Sequence, residues 1–266
     1  MAEKSAKVGG ARRTRAAAAT GSGLDGRRVD TRGMPRPQAP KRTPYYDPAC
    51  TRCPRLAEFL AESHKRYPEY FTRPVPSFGA VAPKIAIVGL APGMHGANRT
   101  GRPFTGDYAG VLLYETLHEL GLASSAVSTS ADDPLKLKDT RILNAVKCVP
   151  PENKPLPDEI RTCNAYLKTE LQELAKVRVV LALGRVAHDA VLMAEGLKRS
   201  QYDFGHGREH VLGNGGASPQ RSAARGETAR YLVDSYHCSR YNTQTRVLTP
   251  EMFKRVVARA CELAEV

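Results

Sequence analysis

The cysteines of this 266-residue chain are spaced to do chemistry. Cys50-Thr-Arg-Cys53 is a C-x2-C pair ahead of a helical pattern, and Cys148 and Cys163 are a C-x14-C pair across a strand end and the next helix. Four such thiolates can converge on one tetrahedral centre. They suit either Zn²⁺ or a [4Fe–4S] cluster, and spacing alone does not choose. The other two cysteines read differently. Cys261 shares the apolar pattern of Val257 and Leu263 and reads as core, whereas Cys238 follows His237 and reads as a free thiol.

Two loops hold the remaining chemistry. The first follows the apolar run Ile85 to Leu90. It begins Ala91-Pro92-Gly93, is punctuated by Gly96, Gly101, Pro103 and Gly106, and closes on Thr105-Gly106-Asp107 before a helical pattern. Asp107 is the only acid from Lys84 to this point. Glycines let a backbone approach a ligand, and a helix start offers free N–H groups to an anion. The loop matches neither G-x-G-x-x-G nor G-x-x-x-x-G-K-[ST], so it carries no dinucleotide or ATP signal. The second loop is Ser235-Tyr-His-Cys-Ser-Arg-Tyr-Asn-Thr-Gln-Thr245. His237 stands at a predicted strand end. Ser239, Asn242, Thr243 and Thr245 can bind phosphate oxygens, and Arg240 can hold a backbone charge.

The elements that must position these groups alternate. Strands are predicted at Ile85–Leu90, Thr140–Cys148, Val177–Gly184 and Arg230–His237. Helices are predicted after Pro54, after Asp107, from Asp158, over Val186–Leu197 and over Pro250–Val266, with Gln201–Gly226 as loops. Strands alternating with helices predict an α/β chain, a mostly parallel four-stranded sheet with helices on both faces. Ligands then sit beyond the carboxyl ends of the strands, where both loops lie. No apolar run approaches about 18 residues, so no membrane span is expected. The N-terminus has no apolar leader, so a reducing cytoplasmic setting is expected. Net charge is +13, and the first 44 residues hold eleven Lys and Arg against three acids. Residues 1–44 are predicted to be a disordered basic tail before a domain over 45–266, and the charge points to a polyanion, most simply nucleic acid.

Gly89-Leu-Ala-Pro-Gly93, His95-Gly-Ala-Asn-Arg-Thr-Gly-Arg-Pro-Phe-Thr-Gly-Asp107, Asn144-Ala-Val-Lys-Cys148-Val-Pro-Pro-Glu-Asn-Lys-Pro155 and His237-Cys-Ser-Arg-Tyr-Asn-Thr-Gln-Thr245 resemble the type B, or family 5, uracil-DNA glycosylases. The resemblance runs from about Pro48 to the C-terminus. It implies a three-layer α/β/α sandwich and a [4Fe–4S] cluster at Cys50, Cys53, Cys148 and Cys163. It also implies removal of uracil, and of other deaminated bases such as hypoxanthine, from DNA by a monomer associated with the nucleoid. A base inside a duplex must be flipped out to be cut. Phe104 would stack on it above Gly89, Ala91 and Gly93. Asn144 would read the uracil edge, and His237 would donate to uracil O2 as charge builds on the leaving base. Family 4 enzymes carry Glu at the position of Leu90, so Asp107 is the expected substitute for positioning water, besides capping a helix. Arg99, Ser239, Arg240 and Asn242 would contact DNA, and Tyr241 would fill the gap left by the flipped base. The wider superfamily has Pro or a small apolar residue where Cys238 stands. Two alternatives are a family 4 enzyme, opposed by Leu90, and a non-catalytic iron–sulfur DNA-binding protein of the same fold, opposed by the intact Asp107, Asn144 and His237.

Overall fold

The apolar runs become strands buried on both faces. In the computed structural model, which describes residues 41–212 and 229–266, β1 (Phe78–Gly79), β2 (Ile85–Gly89), β3 (Thr140–Asn144), β4 (Val179–Leu183), β5 (Glu209–Leu212) and β6 (Arg230–Ser235) form one sheet in the order β1-β3-β2-β4-β6-β5. The four expected strands make its parallel centre. The sheet itself has six strands, because β1 and β5 pair antiparallel at the two edges. Neither edge strand has an apolar run to announce it. β1 is two residues long, and β5 reads Glu-His-Val-Leu with its outer side chains half-exposed or exposed. Part of the stretch expected as loops, Gln201–Gly226, is therefore strand; positions 213–226 of it lie outside the described residues, as do positions 1–40 of the expected tail.

Among the described residues the α-helices are α1 (Pro54–Arg66), α2 (Ala97–Thr100), α3 (Tyr108–Glu119), α4 (Pro157–Glu173), α5 (Arg185–Ala194), α6 (Arg240–Gln244) and α7 (Pro250–Ala264). Alternate strand residues face opposite layers. Ile85, Ile87, Ile142, Leu181 and Val233 pack with Leu113 and Leu117 of α3 and Phe253 and Val257 of α7. Ala86, Val88, Leu143, Val180 and Leu232 pack with Leu167 and Leu171 of α4 and Ala190 and Val191 of α5. The result is helix, sheet, helix. α1 begins at Pro54, a residue whose missing N–H costs nothing at a helix start, and packs Leu56 against Val146 and Cys163.

β2 lies between β3 and β4, so the chain leaves it first to one side and later to the other. Such a reversal opens a crevice at the carboxyl ends of the strands. The strand predicted through Cys148 stops at Asn144, and the chain then turns. Beneath that turn the Lys147 ammonium and the Arg141 guanidinium meet the fully buried Glu170, at 3.1 and 3.0 Å. Removing one partner from such a set leaves an uncompensated buried charge, which costs about 3–5 kcal/mol.

Candidate active site

Parallel register sets the floor of the site. The last residues of β2 and β3, Gly89 and Asn144, lie side by side. A methyl group on Gly89 would stand 2.8 Å from both the Asn144 Oδ1 and the Phe104 ring, so glycine is what lets ring and amide close over the strand end. Asn144 is 4% exposed, and its amide has no hydrogen-bond partner among the described residues. Phe104 takes a left-handed backbone, φ 53°. Such a conformation persists only when its neighbours hold it. Tyr114 Oη donates to the Pro103 carbonyl at 2.8 Å, Thr105 Oγ1 meets Ser128 Oγ at 2.7 Å, and the buried Arg102 donates to Asp133 and to the Ala131 carbonyl.

Asp107 caps α3: its Oδ1 accepts from the Gly110 N–H at 2.9 Å. The other oxygen lies over Gly96, where a methyl group would come within 2.8 Å of the Asp107 Cβ. Burial pushes this carboxyl above its ordinary range, against the pull of the Gly110 and Ala109 N–H groups and of Arg99. The capping role and a role in the cavity are therefore compatible in one side chain.

The loop after β6 closes the cavity from the other side. His237 stacks on Phe104, with ring centroids 5.9 Å apart and planes 28° from parallel. Burial alone lowers its pKa to about 4, so the imidazole is neutral at pH 7. A neutral ring keeps one N–H donor. Asn144, Phe104, Asp107 and His237 all line one cavity of about 360 Å³, together with Leu90, Ala91 and Gly93. This volume suits a small planar ligand.

The residues expected on DNA divide. Ser239 and Arg240 line the cavity mouth, where Arg240 sits 5.8 Å from the Tyr108 ring centre. Ser239 caps α6 by accepting from the Asn242 N–H at 3.3 Å. Asn242 donates to the His237 carbonyl at 2.8 Å, so it holds the loop after β6. Arg99 also braces a loop, donating to the His95 carbonyl at 2.7 Å. Tyr241 is 73% exposed and outside the cavity lining. Cys238 is a free thiol as read, and it is fully buried in the core, where burial and the nearby Asp107 push it up. Asn153 and Tyr108 line the cavity without having been singled out. Asn153 belongs to the Pro-Pro-Glu-Asn-Lys segment, which was quoted for the resemblance without a role being given to Asn153.

Cys50, Cys53, Cys148 and Cys163 surround a second, small cavity with Leu56 and Val146. Burial, then mutual repulsion, raises the Cys148 thiol; Cys53 rises to about 11 by burial and then the neighbouring Cys163. The Lys147 N–H donates to the Cys163 sulfur at 3.3 Å. No three of these sulfurs lie within 4.8 Å of one another. The one group among the described residues that does is His188, His210 and Asp234. There His188 Nδ1 faces Asp234 at 2.8 Å and Nε2 faces the Tyr202 carbonyl at 2.9 Å, so both ring nitrogens are already engaged.

Residues 76–261 match the Uracil DNA glycosylase superfamily. The chain belongs to this superfamily. The chain is 46% identical to a type-5 uracil-DNA glycosylase of Thermus thermophilus, across 81% of this chain and 94% of that protein. It is 38% identical to a type-5 uracil-DNA glycosylase of Pyrobaculum aerophilum, across 79% and 87%. A type-4 uracil-DNA glycosylase of Archaeoglobus fulgidus is 36% identical, but across 44% and 51% only.

Proposed function

We infer that this superfamily member is a DNA-repair hydrolase that excises uracil by cleaving its N-glycosidic bond, and that it acts as a type-5 enzyme. The observation that carries this is the convergence of a neutral His237, the unengaged Asn144 amide, the Phe104 ring and the Asp107 carboxylate on one cavity. The long matches to type-5 proteins support it.

The geometry divides the labour. A flipped uracil stacks on Phe104 and offers its O4 and N3–H edge to the Asn144 amide, which has one acceptor and one donor. As the bond from N1 to the sugar breaks, negative charge gathers on uracil and positive charge on the sugar. His237 donates to O2 and stabilises the first; the low dielectric of a closed site strengthens that contact. Asp107 turns its uncapped oxygen to water, which adds to the anomeric carbon as a hydroxyl while its other proton passes by way of the Asp107 carboxylate to the departing uracil anion. The products are free uracil and an abasic site. With no acid at Leu90, recognition rests on stacking and leaving-group stabilisation, and hypoxanthine is a second substrate.

The four cysteines would hold a [4Fe–4S] cluster, as the resemblance implies. What supports a shared centre is that all four line one small cavity, and that burial and then their mutual repulsion raise the Cys53 and Cys148 thiols. An N–H on a cysteine sulfur is a contact that tunes iron–sulfur centres. When bound, the cluster would cross-link α1, the turn after β3, and α4.

The test is a duplex with one uracil, incubated with the protein and then treated with alkali. The strand is expected to break at the uracil, and a second duplex at hypoxanthine. A duplex that is bound but uncut would favour the non-catalytic reading. Cutting at uracil alone would remove hypoxanthine.

A further inference from the structure

The turn Pro150–Lys154 has two consecutive non-glycine residues in the left-handed region, Glu152 at φ 54° and Asn153 at φ 58°. Asn153 lines the base cavity. Two backbone bonds shape the turn, from the Asn153 N–H to the Pro150 carbonyl at 3.2 Å and from the Lys154 N–H to the Pro151 carbonyl at 3.0 Å. Left-handed residues stay put only when the surrounding structure over-determines them.

Arg55 supplies that hold. Its Nη2 donates to the Lys154 carbonyl at 3.1 Å, and its Nε and Nη2 fork onto the two Glu159 oxygens at 2.8 Å each. Glu159 is 5% exposed and also accepts the Leu156 N–H at 2.7 Å, closing the start of α4. Burial pushes the Glu159 carboxyl up, but the Arg55 fork and this N–H bring it below its ordinary range. Arg55 is two residues from Cys53 on α1, and Glu159 is four residues from Cys163 on α4. One planar guanidinium thus ties α1, which starts next to Cys53, and α4, which carries Cys163, to the turn at the cavity rim. A lysine could not make the fork and the carbonyl contact together.

We propose that Arg55 is a positioning residue that holds the left-handed turn presenting Asn153 to the base cavity, and so couples the four-cysteine region to the pocket rim. Its effect on excision rests on the glycosylase reading; its hold on the turn does not.

The test compares full-length Arg55→Ala, Arg55→Lys, Asn153→Ala and the Arg55→Ala/Asn153→Ala double variant with the wild type. Amide hydrogen exchange at Asn153 and Lys154 is expected to rise about tenfold in both Arg55 variants, while exchange in β2 and β4 stays unchanged. Single-turnover excision by Arg55→Ala is expected to fall roughly 10- to 100-fold, the scale of a 1 Å misplacement, with DNA affinity within about twofold. The double variant should be no slower than the slower single one, because Arg55 acts through Asn153. Unchanged exchange in the turn overturns the proposal, and so do losses that multiply in the double variant. A wild type that releases no base would defeat the glycosylase reading, while the exchange comparison would still decide what Arg55 does.

Discussion

Asp107 caps α3 with one oxygen, while the other lies against Gly93 and Gly96 at the edge of the cavity. Asp107→Asn keeps an oxygen for the Gly110 N–H but loses the charge. Excision is expected to slow by about 10²-fold or more, the range for acid–base groups, with the melting temperature little changed; normal turnover would leave Asp107 a cap only. His237 sets the pH behaviour. Its folded pKa, about 4, is below the ordinary 6.5. A neutral His237 therefore predicts single-turnover rates that are flat through pH 6.5 and fall only in more acid solution. An inflection near 6.5 would show an ordinary, solvated ring. The same depression favours the fold above pH 6.5, and that contribution is lost as pH falls towards 4. It amounts to up to roughly 3 kcal/mol, and His237→Asn should abolish it in denaturant titrations at pH 7 and pH 4.5.

The loops owe their shape to contacts from other elements. Phe104 is held left-handed because Arg102 pins the preceding residues to the Ala131–Asp133 segment, with 4% of its own side chain exposed. Arg102→Ala strands Asp133 and frees the loop. A stability loss of about 3 kcal/mol is expected from urea titration, together with a raised KM for uracil DNA. A variant with lowered stability but wild-type KM would show that the brace does not position Phe104. The short α6 gives Tyr241 to solvent, next in the chain after the cavity-lining Ser239 and Arg240. As a wedge it would replace the flipped base in the stack, a contact worth about 1–3 kcal/mol. Tyr241→Ala should therefore impair excision most from U·A duplex, less from U·G, and least from single strands. Equal losses on all three would make it a general DNA contact.

Across the molecule, the two cavities share elements. Asn144 and Cys148 are four residues apart, on β3 and the turn beyond it, and Lys147 between them is anchored on Glu170 of α4. Loss of the proposed cluster should therefore reach the base site. Cys163→Ala protein is expected to lose iron on metal analysis and absorbance near about 400 nm, to unfold at a lower temperature, and to excise more slowly; Cys261→Ala should do none of these. Zinc without iron in anaerobically prepared wild type would overturn the cluster assignment. The +13 charge gives the whole surface a pull on DNA that salt should weaken.

The sequence by itself determined the parallel centre of the sheet. Runs such as Ile85–Gly89 and Val179–Leu183 are apolar on both faces, and only a strand covered by helices on both sides can bury them. It also placed Asp107 at a helix start and His237 at a strand end, because glycine and polar residues interrupt the apolar pattern there; Asn144 became a strand end only in the fold, where the strand read through Cys148 stops early. It could not show β1 or β5, since half-exposed edge strands carry no apolar run. Nor could it tell that Asn242 and Arg99 would be spent on loop carbonyls, because a polar side chain serves DNA or its own backbone equally well until its neighbours are known. Asn153 needed the tertiary structure most. Its place at the rim depends on two left-handed residues and on Arg55, about a hundred positions earlier in the chain, a contact no local pattern encodes.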